Sequence, residues 1–226
     1  QHSSSRVFLI DIAKDIPDSV VACGGSWVSN WVDRVPSHTD YKYFSNQLEI
    51  EFPNQALYDT LLLRVASDSS KGREILTIGS TVVPLQTPIK VVYRPAGGYV
   101  PNRNTGVYRL EGAGYAYLGN NWRNGRFTFN TLSFGEFTVL SDSIPPTVKP
   151  ISINNAVARL RIRDDLSGIS YFEANINGQW LLMNYDYKTG VLYSERLDKA
   201  KPLKGDFELK VVDNAGNESI YKQKIP

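Results

Sequence analysis

Three groups of side chains in this sequence have types and spacing suited to chemistry. The first is acidic. Asp164-Asp165 in Asp164-Asp165-Leu166-Ser167-Gly168, and Asp213 in Asp213-Asn214-Ala215-Gly216-Asn217, supply hard oxygen atoms of the kind that hold calcium between loops, although the spacing follows no EF-hand. A glycosidase needs two carboxylates about 5 to 10 Å apart across a sugar. The adjacent pair Asp164 and Asp165 suits that role poorly, because neighbours on a strand point to opposite faces and neighbours in a turn cap backbone N–H groups. Turn capping is the better reading of these acids.

The second group is aromatic and basic. Tyr93-Arg94, Tyr99, Arg103, Tyr108-Arg109, Tyr115, Tyr117, Trp122-Arg123 and Arg126 fall within one Gly-rich stretch. Aromatic faces stack on sugar rings and guanidinium forks match carboxylates, so Tyr99, Arg103, Tyr115, Tyr117, Trp122 and Arg123 are the candidate binding residues. The competing reading has the tyrosines half-buried in strands and the arginines solvated on the opposite face; it is the one favoured, since only a contiguous exposed patch marks a site. The third group is the set of nucleophile and imidazole candidates. Cys23 is the only cysteine, set among small apolar residues as a buried structural thiol would be, and His2 and His38 are the only histidines. No Gly-x-Ser-x-Gly elbow presents a serine.

These residues sit on a chain that reads as all-β. Leu48-Glu49-Ile50-Glu51-Phe52, Arg126-Phe127-Thr128-Phe129-Asn130, Leu160-Arg161-Ile162-Arg163, Phe172-Glu173-Ala174-Asn175-Ile176 and Phe207-Glu208-Leu209-Lys210-Val211 alternate apolar with polar residues, the period of half-buried strands. Asn177-Gly178 and Asn124-Gly125 are two-residue hairpin signals. No window keeps a helical stripe; the best candidate, near Pro53-Asn54-Gln55-Ala56-Leu57-Tyr58, amounts to a single turn. Trp180, beside the Asn177-Gly178 turn, is expected in the core. Trp27 and Trp31 are spaced to share a helical face or to clamp a junction between domains.

Asp142-Ser143-Ile144-Pro145-Pro146 marks a boundary, since paired prolines force extended backbone and stop a ladder. Residues 142–226 then hold about seven strand-like runs, the number expected of an immunoglobulin-like sandwich. Residues 44–141 read as a second β-sandwich, with strands near 48–52, 61–66, 89–93, 107–110, 126–129 and 137–140. Residues 1–43 form a lead segment with one strand at 7–12, either the end of a preceding domain or a partner for the next sheet. The fold class is therefore tandem β-sandwich domains.

Net charge is +2 over 226 residues, which gives no electrostatic case for nucleic acid. No apolar run is long enough for a spanning helix, so no membrane span is expected. One cysteine closes no intramolecular disulfide, and stability must come from packing. The opening Gln1-His2-Ser3-Ser4-Ser5 carries neither Met nor an apolar signal segment, and suggests a portion of a longer precursor.

Leu48-Glu49-Ile50-Glu51-Phe52-Pro53-x-x-Ala56-Leu57-Tyr58-Asp59-Thr60, then Phe134-Gly135-Glu136-Phe137 leading into Asp142-Ser143-Ile144-Pro145-Pro146-Thr147-Val148-Lys149-Pro150, then Asn177-Gly178-Gln179-Trp180-Leu181 and Asp213-Asn214-Ala215-Gly216-Asn217, carry a resemblance. In that order they resemble the region that follows the peptidase domain in lysostaphin-like zinc metallopeptidases of Bacteroidetes, over roughly residues 44 to 226. The resemblance implies a cell-envelope protein, in the periplasm or at the surface of a Gram-negative bacterium, whose peptidase acts on peptidoglycan crosslinks. Such peptidases bind zinc through His-x-x-x-Asp and His-x-His elements, leaving one position open for water. This chain departs from that pattern: position 42, four beyond His38, is Lys42, and two histidines do not complete the ligand set. The expectation is a non-catalytic accessory region with no cofactor and no resident metal. It would act as a spacer whose Pro145-Pro146 junction sets the angle between modules. Its partners would be an upstream peptidase domain or an envelope protein, with peptidoglycan or another glycan as a further partner. The competing expectation is a carbohydrate-binding or adhesive surface module.

Overall fold

The computed structural model describes residues 27–28, 32–69, 73–95, 98–196, 198 and 200–226. His2, Cys23, Trp31 and the strand expected at 7–12 lie outside these residues. The chain divides into two compact units, Gln1–Leu140 and Ser141–Pro226. Among the described residues there are strands and turns and no helix.

The first unit contains β1 (Trp27–Val28), β2 (Asp33–Val35), β3 (Tyr41–Phe44), β4 (Leu48–Phe52), β5 (Leu61–Leu63), β6 (Val65–Asp68), β7 (Ile75–Ile78), β8 (Pro84–Tyr93), β9 (Thr105–Glu111), β10 (Gly114–Gly119), β11 (Trp122–Arg123), β12 (Arg126–Ser133) and β13 (Gly135–Ser141). One sheet has the order β1-β6-β7-β13-β9-β10, a second β11-β12-β8-β4-β3, and β2 pairs with β5 alone. The described part of the lead segment thus joins the sheets of this unit.

Alternation fills the space between the sheets. In β4, Leu48, Ile50 and Phe52 are buried while Glu49 and Glu51 stay partly in water. Cross-strand register extends each position into a row: Leu48 stands opposite Tyr93, and Tyr93 opposite Phe127. All three are buried, each such side chain contributing roughly 1.5–3 kcal/mol on transfer from water. Strands β7 and β10 were not expected. Ile75-Leu76-Thr77-Ile78 is too short to show a period, and β10 begins and ends on glycine, which in a sequence reads as loop. The segment 53–58 is a tight turn closed by Ala56 N–H donating to the Pro53 carbonyl at 2.8 Å, after which Leu57 bridges to Leu85.

The second unit contains β14 (Thr147–Ile153), β15 (Ala158–Arg163), β16 (Ile169–Ile176), β17 (Gln179–Leu181), β18 (Met183–Asp186), β19 (Val191–Ser194), β20 (Gly205–Asp213) and β21 (Glu218–Ile225). Its sheets run β14-β15-β19-β18 and β17-β16-β20-β21. The first reproduces the A-B-E-D order of immunoglobulin sandwiches, the second C-F-G with an extra strand at its edge. Leu160, Ile162, Ala174, Phe207, Leu209 and Val211 form its core. Asn177 and Gly178 have φ of 51° and 76°, the left-handed pair that a two-residue hairpin between β16 and β17 requires.

That hairpin corrects one expectation. Trp180 is 64% exposed and not in the core. The turn places Trp180 opposite Asn175, on the outer face, while its neighbour Leu181 stands opposite the buried Ala174 and packs inward. A two-residue turn leaves no freedom in this parity, because a slip of one residue would turn every side chain over.

Candidate functional site

The six aromatic and basic candidates do not form one patch. Tyr99 and Trp122 gather on the fully buried Phe127, with ring centroids 6.4 and 4.6 Å from it and 6.3 Å from each other. Tyr115 and Tyr117 gather instead on the fully buried Tyr108, at 6.2 and 5.3 Å, in strands of the other sheet. Arg73 lies over the Tyr115 ring at 5.7 Å. Edge-to-face and tilted packing of this kind half-buries Tyr115, Tyr117 and Trp122, and of these four rings Tyr99 alone is exposed. Arg103 is exposed and its Nε donates to Asn104 Oδ1 at 3.3 Å. Arg123 is exposed at the tip of the β11–β12 hairpin.

The acidic candidates divide differently. Asp165 points to solvent and pairs with Arg163 Nε at 2.9 Å. Asp164 and Asp213 come together with a third acid, Asp142, their oxygens all within 4.8 Å of one another at one end of the immunoglobulin-like sandwich. In the sequence Asp142 marks only the domain boundary; its distance along the chain from the other two hides the relation.

Each of these carboxylates holds backbone. Asp142 accepts N–H groups from Ile144 at 3.2 Å and from Ser167 at 3.0 Å. Asp164 accepts from Gly168 at 2.7 Å and Leu166 at 3.2 Å. Asp213 accepts the Asn217 N–H at 2.8 Å and its side-chain amide at 2.7 Å, while that same amide donates to the Asp142 carbonyl at 2.9 Å. Burial pushes the Asp164 carboxyl above its ordinary value; the Gly168 and Leu166 N–H groups oppose this, and the charges of Asp142 and Asp213 add to it. A calcium ion takes six to eight oxygens, and these acids already have donors on them. The arrangement is a clasp joining the start of the unit, the β15–β16 loop and the β20–β21 turn.

A further set of functional groups emerges from register. Tyr93 stands opposite Phe127 in the β8–β12 ladder, so the next pair outward is Arg94 and Arg126. Arg126 is in turn directly opposite Arg123 across the Asn124-Gly125 turn. On the other side, the Arg94 N–H donates to the Gln47 carbonyl at 2.8 Å, continuing the β4–β8 ladder. Gln47, Arg94, Arg126 and Arg123 therefore form one cross-strand row. Since Tyr93, Phe127 and Trp122 point inward, the row faces outward. A surface cleft of about 710 Å³ lies elsewhere, beside the Asn177-Gly178 turn; the one beside this row is about 360 Å³ and is lined by Asn46, Glu49, Arg94 and Arg126 among others. The Asn124-Gly125 signal fixes the 123–126 pairing in the sequence itself, but the Arg94–Arg126 pairing needs the long-range register.

The strands that carry these arginines and tyrosines fall within a segment that matches a known family. Residues 32–142 match the model of the Zu5-like domain. The match runs from just before β2 to Asp142, so the Zu5-like domain ends at the first carboxylate of the clasp. The arginine row and both aromatic groups lie within the segment that matches, and the rest of the clasp lies in the immunoglobulin-like unit. No curated protein matches the chain.

Proposed function

We propose that this chain is a non-catalytic positioning region of a cell-envelope protein, tethering an upstream peptidase domain or an envelope partner in the periplasm or at the surface of a Gram-negative bacterium. The observation that carries the reading is the clasp. Asp142, Asp164 and Asp213, the acids best placed for chemistry, each hold backbone N–H groups and so serve to shape the unit. The Zu5-like family is one of small accessory domains, in keeping with a supporting role. The order of motifs from Leu48 to Asn217, which resembles the region after the peptidase domain of lysostaphin-like zinc metallopeptidases, supports a peptidoglycan-directed parent.

The test is incubation of the chain with zinc and purified insoluble peptidoglycan. The expected result is no release of soluble fragments. Release of crosslink peptides would sink the assignment. A second reading, a carbohydrate-binding surface module, is favoured by the outward arginine row, whose guanidinium groups match carboxylates.

A further inference from the structure

We infer that the outer face of the β11-β12-β8-β4-β3 sheet binds a carboxylate-bearing polysaccharide along the row Gln47, Arg94, Arg126 and Arg123. This deepens the positioning role and rests on it, naming what the chain would hold on to.

The outer face of this sheet carries an electrostatic misfit. Directly opposed side chains on adjacent strands are the closest neighbours a sheet has, and like charges there destabilise it. Here Arg126 has an arginine on both sides, Arg94 one residue past the end of β8 and Arg123 on β11. Strands lie roughly 4.8 Å apart, so the three arginines leave the backbone within a line about 10 Å long. Among the described residues, the one ion pair they make is Arg126 Nη1 to Glu49 Oε1 at 3.1 Å. Arg126 Nε is buried without a partner. That atom is out of a ligand's reach; the exposed Arg94 and Arg123, in no ion pair among the described residues, carry the surplus positive charge of the row.

The surroundings distinguish the ligand from a bare anion. The cleft beside the row is walled by Ser45, Asn46 and Gln47 from the β3–β4 turn; the Ser45 hydroxyl closes that turn on Leu48, and the exposed Asn46 amide is of the kind that binds sugar hydroxyls. Phe44, one same-face step away opposite Glu49, is 60% exposed on the same outward face. An exposed ring beside polar groups and guanidinium forks matches a sugar ring bearing a carboxylate: the apolar ring face on Phe44, the carboxylate bidentate on arginine. Farther along the same face Lys42 and Lys90 both pair with Glu51, with contacts of 3.0 and 3.4 Å, which leaves one net positive charge there and the larger excess on the arginine row.

The experiment measures binding of the full chain to polygalacturonate, with neutral dextran, single-stranded DNA and anionic phospholipid vesicles as parallel arms. The expected result is retention by polygalacturonate alone, weakening as salt rises. The double variant Arg94→Gln, Arg123→Gln should weaken it by about tenfold or more, and Phe44→Ala should weaken it with the arginines intact. A control with the same change in net charge, Lys188→Gln, Lys201→Gln, should bind as the parent does. Equal binding to DNA or vesicles, or undiminished binding by the arginine variant, would overturn the assignment. Failure of the positioning role would look different: peptidoglycan fragments released by a chain that still binds polygalacturonate.

Discussion

The Asp142 carboxylate accepts the Ser167 backbone N–H at 3.0 Å, a bond between residues 25 apart in the chain and both almost fully buried. Its other oxygen takes the Ile144 N–H. Asp142→Ala leaves the buried Ser167 donor with nothing to bind, and a buried unsatisfied donor costs about 2 kcal/mol. The expected outcome is a loss of that size in the immunoglobulin-like unit. Amide hydrogen exchange should accelerate first at Ser167 and Ile144. Unchanged protection at Ser167 would mean the bond contributes little.

Asp164 gives the unit a pH dependence with a definite sign. Its carboxyl titrates above the ordinary value of 3.8, first through burial and then through Asp142 and Asp213, against the pull of the Gly168 and Leu166 N–H groups. Folding therefore favours its protonated form. That contribution is fully present below the unfolded value, about pH 4, and is lost as pH rises through the raised folded value. Asp164→Asn keeps an oxygen for the Gly168 N–H and removes the charge. Its melting temperature should exceed that of the parent at pH 7, and the difference should vanish below about pH 4. A difference constant across that range would contradict the shift.

Trp180 and Phe207 separate the two faces of one sheet. Phe207 is buried in the core beside Leu209 and Val211, and Phe207→Ala should cost about 3–5 kcal/mol in denaturant unfolding. Trp180 stands in solvent, so Trp180→Ala should change stability by less than about 0.5 kcal/mol. Acrylamide quenching of the native chain should show a readily accessible tryptophan that the Trp180→Ala variant lacks.

Those two residues also show what a sequence reveals. Phe207-Glu208-Leu209-Lys210-Val211 announced its core face because a period of two needs only local order. Trp180 was misplaced because its face depends on where the Asn177-Gly178 turn starts the count, and residue type argued the other way. The tandem sandwiches, the hairpins and the turn-capping acids were readable for the same local reason. The clasp was only half readable: Asp164 and Asp213 stood in recognisable turns, whereas Asp142 joins them through a fold-level return of the chain. The division of Tyr99 and Trp122 from Tyr115 and Tyr117 is likewise a matter of sheet assignment, and β10 gave no strand signal from which to make it.

The arginine row makes one more demand, on stability alone. If Arg94, Arg126 and Arg123 repel one another across β8, β12 and β11, removing the outer two charges must relieve the sheet. Arg94→Gln with Arg123→Gln keeps the length of the side chains, the backbone ladder and the Arg126–Glu49 pair, so the variant should be more stable than the parent by about 0.5 kcal/mol. The gain should shrink in high salt, where exposed charges are screened. Urea unfolding at low and high ionic strength measures both quantities. Lower stability in the variant, or a gain indifferent to salt, would show that the three guanidinium groups fan apart into water and that their register carries no strain for a ligand to relieve.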